Sequence, residues 1–242
     1  MKLQFLTLLL FTLFSFFSYS VGNWNNRNKN IDTIRTYIGE TGIPIAIVFE
    51  KGDYFNHPTF AFWIESVEGY FLKNIFVTKS ISTGIFKFGP IDSLSWGRLP
   101  GQAKRPAALP YWLHKAVDGK LPSPSNPLPD VYTGVTPHNN FLILSNIGDY
   151  TKFNLLLEIN QTWDWNEYWT NDLFPDVDYK HSSQPSLVYS VTIDLQSGVN
   201  EYYMNPIGHG HYAGKNGLLY TDLSTFTTAL KIVKKIKIIV GN

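Results

Sequence analysis

The sequence predicts an all-β fold, an antiparallel two-layer β-sandwich of Ig-like or related type, and three observations carry that expectation. Many short segments rich in β-branched and aromatic side chains are bounded by Gly, Pro, Asn or Asp. The last of them, KIKIIV at 235–240, alternates Ile236, Ile238 and Val240 with Lys235 and Lys237, the mark of a strand with one wet face. Helical periodicity is sustained almost nowhere, and many strands in succession favour a sandwich over alternating α/β units.

Taken in order, residues 1–20 have the features of a secretory signal peptide: Lys2, an apolar run from Leu3 to Phe17, and the small-residue pattern Ser18, Tyr19, Ser20. The run falls short of the ~20 residues that span a bilayer. Cleavage near Val21 is therefore expected, with no membrane insertion afterwards and a periplasmic or secreted location. Residues 21–40 read as a leader, asparagine-rich at first, with Ile31, Ile34 and Ile38 at helix-like spacing. A single domain is expected over 41–242. Its strand segments are IPIAIVFE (43–50), TFAFWIES (59–66), YFLKNIFVTK (70–79), FLILSN (141–146), KFNLLLEIN (152–160), SLVYSVTIDL (186–195), EYYMNPIG (201–208) and KIKIIV. Val67-Glu68-Gly69, Gly148-Asp149 and Gln196-Ser197-Gly198 read as hairpin turns. A long Pro/Gly-rich excursion at 80–138 contains one helix candidate, AALPYWLHKAVDG. A second interruption lies at 163–185, and a short helical turn through TFTTAL would follow a cap at Asp222 or Ser224.

Composition narrows the function. The chain has no cysteine, so disulfides and thiolate metal sites are excluded, and its stability must come from a core with 44% apolar residues to draw on. A net charge of +1 with 16% charged residues provides no field for nucleic acid. GxSxG, SxxK and HExxH motifs are absent, as are phosphate-binding glycine loops, and Asp176 and Asp178 read as solvated charge. The chain therefore reads as non-catalytic.

Three groups remain as candidate sites. His209 and His211 in IGHGHYAG are spaced so that both imidazoles would share one face of a strand, a metal-ligating geometry that lacks a third ligand at a recognisable spacing. The plainer alternative is that Gly208 and Gly210 mark a bulge or a close backbone approach. Trp163, Trp165, Tyr168 and Trp169 offer a stacking platform for a sugar ring or a flavin, or else a packed aromatic corner. Finally, PDVYTGVTP holds Asp130, Thr133, Gly134 and Thr136 at the spacing of D-x-x-T-G-x-T, with Val135 in the remaining place.

That last pattern resembles the attachment motif of flavin transferases, D-x-x-(S/T)-G-A-T, in which FMN is carried as a phosphoester on the final threonine. Val135 stands where alanine is usual. A wider resemblance runs through WIE, YFLKNIFVTK, RPAALPYW, PDVYTGVTP, LLLEINQTWDWNEYW, QPSLVYSVTID and PIGHGHYAGKNGLLYTDLSTFTTALKIVKKI. Together these segments are similar to the bacterial periplasmic domain of unknown function 2271 family. The resemblance implies an Ig-like β-sandwich in a redox setting. It points to an accessory of a flavin-linked electron-transfer or metal-uptake system, with covalent FMN as cofactor and a flavin transferase and a membrane redox protein as partners. The competing reading is a surface glycan- or protein-binding module whose ligand face is the Trp163–Trp169 segment.

Overall fold

The structure is a computed structural model and describes residues 31–90, 97–129 and 131–241. The expected signal peptide, residues 21–30 of the leader and Asp130 lie outside the described residues. Two sheets face each other. The first, five-stranded, runs in the order β1 (Asp32–Thr36), β8 (Phe141–Asn146), β2 (Pro44–Lys51), β13 (Val233–Val240), β11 (Glu201–Tyr203). The second, six-stranded, runs β12 (Asn205–His209), β10 (Leu187–Asp194), β9 (Lys152–Asn160), β3 (Thr59–Glu65), β4 (Phe71–Thr78), β7 (Thr133–Gly134). A small hairpin pairs β5 (Ile85–Phe86) with β6 (Gly101–Gln102). The sandwich is antiparallel except at two sheet edges, where β1 runs parallel to β8 and β7 parallel to β4.

The period of two along each strand builds the core. Phe60, Phe62 and Ile64 of β3 and Phe153, Leu155, Leu157 and Ile159 of β9 point inward, opposite Ile45, Ile47 and Phe49 of β2 and Phe141 and Ile143 of β8. Phe141 joins the two layers, stacking on Phe49 at 4.4 Å and on Phe60 of the facing sheet at 5.4 Å. The outer face of the second sheet is also dry. Ala61, Trp63, Leu156 and Val188 on that face are covered by Leu109, Trp112 and Leu113, which lie at or within helix α2 (Pro110–Val117) of the 80–138 excursion. Strands β3 and β9 are thus buried on both faces, which is why TFAFWIE and FNLLLEI read as nearly continuous apolar runs rather than as alternation.

Several expectations change on contact with the structure. The 31–38 region forms strand β1, because Thr33, Ile34 and Thr36 suit an edge strand that extends the sheet alongside β8. The fold therefore begins inside the expected leader. Only the turn at Val67–Gly69 closes a hairpin, β3 to β4. Gly148-Asp149 and Gln196–Gly198 instead carry the chain from one sheet to the other, since β8 and β11 belong to the first sheet and β9 and β10 to the second. EYYMNPIG likewise divides into β11 and β12, in different sheets, around the buried Met204, whose N–H donates to the Ile236 carbonyl. The excursion contains α1 (Lys79–Thr83) besides α2, and the second interruption contains α3 (Val177–Ser182). Of the expected helical turn through TFTTAL only Ala229 and Leu230 are helical, in a 3-10 turn at Ala229–Lys231 that follows Thr228 rather than Asp222 or Ser224. Among the described residues no helix is long and apolar enough to cross a membrane.

Candidate functional site

Alternation along β9 sends Leu156, Glu158 and Asn160 to the outer face, beneath the excursion. Glu158 is fully buried there. Its Oε2 accepts the Trp112 backbone N–H at 2.6 Å, and its Oε1 accepts the Tyr111 N–H at 3.2 Å and the Ser186 hydroxyl at 2.5 Å. Helix α2 has no capping side chain of its own, so this carboxyl from the sheet satisfies two of its orphan donors. Burial pushes the Glu158 carboxyl up to about 7, outweighing the three donors that pull it down. Glu65, on the same face, is also raised by burial. It accepts the Trp63 indole N–H at 2.8 Å and lies 3.7 Å from the Lys115 ammonium. Sequence reasoning passed over both acids, although an isolated charge inside LLLEIN and FWIE marks each.

Past Asn160 the chain leaves the sheet in the aromatic-rich loop, which a polar network holds in place. The Thr228 hydroxyl donates to Asp164 Oδ1, and the Gln184 amide donates to the Asp164 carbonyl at 2.6 Å. Asn166 donates to the Thr225 carbonyl at 2.8 Å and accepts the backbone N–H groups of Tyr168 and Trp169. Trp163 and Ser183 both hold left-handed backbone, with φ of 65° and 68°, a strained conformation that collects at functional sites. Four buried polar atoms of this neighbourhood lack a protein partner: Asn160 Oδ1, Asp164 Oδ2, Trp165 Nε1 and Ser183 Oγ. A small open cleft lies beside Asn160, walled by Asn160 and Thr162 from the end of β9 and the residues after it, by Lys104 and Arg105, and by Asp178 and His181 of α3. The Trp163 ring, 56% exposed, stands 6.4 Å from the ring of His181 but is not part of the cleft wall. Burial lowers Arg105 to about 10, and its guanidinium lies 4.2 Å over the Phe86 ring. Burial, then Arg105, holds His181 below the ordinary imidazole value.

The structure divides the expected aromatic platform. Trp163 and Tyr168 are exposed, and Trp165 packs edge-on to Trp163 at 5.1 Å. Trp169 turns inward, its ring near Tyr179, Phe226 and His209 and its indole N–H donating to Thr225 Oγ1 at 3.1 Å. The tryptophan segment and the histidine pair, read separately in the sequence, thus meet through Trp169 and His209. The imidazoles of His209 and His211 both lie against Tyr220, at 5.3 and 6.0 Å. His209 Nδ1 is 2.8 Å from the Gly210 carbonyl, and His211 Nδ1 accepts the Ala213 N–H at 3.0 Å. Among the described residues no group of three or more His, Cys, Asp or Glu converges as a metal site.

In the flavin-type motif, Thr133 and Gly134 form edge strand β7, where a side chain at Gly134 would press on the Phe76 ring. Val135 is exposed, while the half-buried Thr136 donates its hydroxyl to the Pro58 carbonyl at 2.8 Å. The turn that holds Pro58 also donates the Asn56 N–H to Gln161 at 2.7 Å, so Thr136 and the start of the aromatic loop share one end of the sandwich. Comparison with protein-family models, with curated proteins and with solved structures finds no match to this chain.

Proposed function

We propose that this chain is a non-catalytic, exported β-sandwich whose aromatic-rich excursion presents Trp163 as a glycan-binding face. The observation that carries the reading is an exposed indole on strained backbone, set in a loop that the Asp164–Gln184–Asn166 network holds rigid. A rigid aromatic face stacks on the apolar face of a pyranose at little entropic cost, while hydroxyls meet polar side chains at its edge. The neighbouring Thr162 and Asn166 side chains are the polar groups of the same loop closest in sequence to that edge. Affinity electrophoresis through a panel of soluble polysaccharides tests it. At least one polysaccharide is expected to retard the wild type, with Trp163→Ala weakening retention by about tenfold, the scale of one lost aromatic contact. Tyr168→Ala, which also removes an exposed ring, serves as the control, and equal losses in the two variants would overturn the assignment to Trp163.

A second reading, the flavin-linked accessory, is favoured by one observation: Thr136 and the aromatic loop lie at the same end of the sandwich. Against it, the acceptor hydroxyl is already engaged with Pro58, and phosphoester formation requires that bond to open. Co-expression with a flavin transferase is therefore expected to leave the intact mass of the protein unchanged. A gain of one FMN less one water, lost in Thr136→Ala, would establish the flavin reading instead.

A further inference from the structure

The whole-chain charge of +1 conceals an uneven distribution. Between Lys79 and Pro129 seven Lys and Arg stand against two acids, Asp92 and Asp118, a net +5 that leaves −4 for the rest of the chain. Three cations gather at the end of the sandwich that holds Thr136. The Lys51 ammonium donates to the His138 carbonyl at 3.1 Å, and the His138 ring stands 4.6 Å from that of His57, the residue before Pro58. Loss of solvent, then His138, then Lys87 hold the His57 imidazole below its ordinary value, which places Lys87 beside it. Arg98 comes from the other arm of the same hairpin, where beyond β5 and before β6 the Gly89 N–H donates to the Leu99 carbonyl at 2.9 Å. Lys51, Lys87 and Arg98 are exposed, and among the described residues none is paired with a carboxylate, Asp53 included.

Apolar side chains stand among these charges. Phe88, 48% exposed, and Leu99, 78% exposed, adjoin the Gly89–Leu99 bond, and the Lys87 ammonium lies 5.3 Å over the Phe88 ring. Val135, also exposed, precedes the Thr136 that is bonded to Pro58. Exposed hydrophobics scattered singly are ordinary on a soluble protein, but gathered among unpaired cations they match a lipid surface, whose phosphates take the charge and whose acyl boundary takes the apolar groups. We infer that this end of the sandwich binds the surface of an anionic bilayer, with Phe88 and Leu99 entering the boundary between headgroups and acyl chains and Lys51, Lys87 and Arg98 against lipid phosphates. The contact is peripheral, spans nothing and does not involve Trp163.

Co-sedimentation of the full chain with vesicles of phosphatidylcholine alone, and of three parts phosphatidylcholine to one part phosphatidylglycerol, tests this. Wild type and variants share residues 1–20, so any contribution of that apolar segment is common to all. The mixed vesicles are expected to bind about tenfold or more tightly than the neutral ones, since each cation near a charged leaflet contributes about fivefold. Lys87→Gln with Arg98→Gln is expected to remove most of that preference. Phe88→Ser with Leu99→Ser should weaken binding to the mixed vesicles by about tenfold, the scale of one large apolar side chain kept from the acyl boundary. All four substitutions fall on exposed side chains, and unchanged circular dichroism verifies that the variants fold. Trp163→Ala should bind both vesicles as the wild type does. Equal binding to the two vesicle types, no binding to either, or a Trp163→Ala loss as large as that of the Phe88 and Leu99 pair overturns the inference. Soluble polyglutamate that binds as tightly as the mixed vesicles, with Phe88→Ser and Leu99→Ser having no effect, would identify an acidic protein as the partner and also overturns it. Retardation by polysaccharide is read separately, so the lipid and glycan readings can fail independently.

Discussion

Glu158→Ala is expected to lower the unfolding free energy by about 3 kcal/mol or more, since it leaves buried donors unmet and opens a cavity beneath α2. Three donors lose their acceptor at once: the N–H groups of Tyr111 and Trp112 and the Ser186 hydroxyl. The wild-type carboxyl also carries a pH signature. Burial raises its folded value from 4.5 to about 7. Below 4.5 the group is protonated in the folded and unfolded chains alike, and its contribution to stability is whole. Between 4.5 and about 7 only the folded chain keeps the proton, so stability falls as pH rises. The loss is complete above about 7 and amounts to roughly 3 kcal/mol. The protonated carboxyl remains compatible with its site, because its O–H turns to Ser186 and its carbonyl oxygen faces the helix. Urea unfolding of the wild type and Glu158→Gln from pH 4.5 to 8 isolates the effect, since other titrating groups are common to both. The stability of the wild type relative to the variant should decline as pH rises. A relative stability that climbs instead would show the ionised form preferred by its donors.

Much of the sandwich was legible from side-chain alternation, and the reasons for the rest are specific. FLILSN and KFNLLLEIN are observed with the expected bounds, because strong β-formers end there at asparagine and begin beside turn residues. Which strands share a sheet was not legible. A Gly-Asp turn looks the same whether it closes a hairpin or crosses between layers, and only the partner residues distinguish the two cases. Strand β1 was misread because Ile31, Ile34 and Ile38 fit a helical spacing, while its stabilising neighbour, β8, lies more than a hundred residues away. For the candidate site, the loop that carries Trp163 was visible as an aromatic cluster, but Lys104, Arg105 and His181 were not. They come from separate segments and meet because α3 packs beside the excursion, where the Ser182 hydroxyl donates to the Ala107 carbonyl at 3.2 Å. The carboxyl of Glu158, a single charge within an apolar run, is the sequence feature that marks the buried acid beneath α2.

In the segment IGHGHYAGKNG the glycines explain more of the structure than the histidines do. A methyl group at Gly210 would lie 2.5 Å from Pro110 Cγ, 2.6 Å from Ser186 Oγ and 2.9 Å from Glu158 Oε1. One at Gly214 would lie 2.3 Å from the Pro106 backbone, and one at Gly217 would lie 2.3 Å from His114 Cβ. The three glycines thus form the seat on which residues 106–114 of the excursion rest, and that excursion carries the Lys104–Arg105 wall of the cleft. Gly210→Ala is expected to cost about 3 kcal/mol, the upper end of ordinary overpacking, because its three neighbours are buried and two of them, Ser186 and Glu158, are hydrogen-bonded to each other. Gly198→Ala is the matched control. Its φ of 73° strains an alanine, but nothing lies within 4 Å of the added carbon, so a cost of about 1 kcal/mol is expected from the backbone alone. In a double-mutant cycle Gly210→Ala and Glu158→Gln should be non-additive, since both disturb the same helix terminus. Strict additivity, or a Gly210→Ala cost no larger than that of Gly198→Ala, would show that the excursion does not depend on this seat.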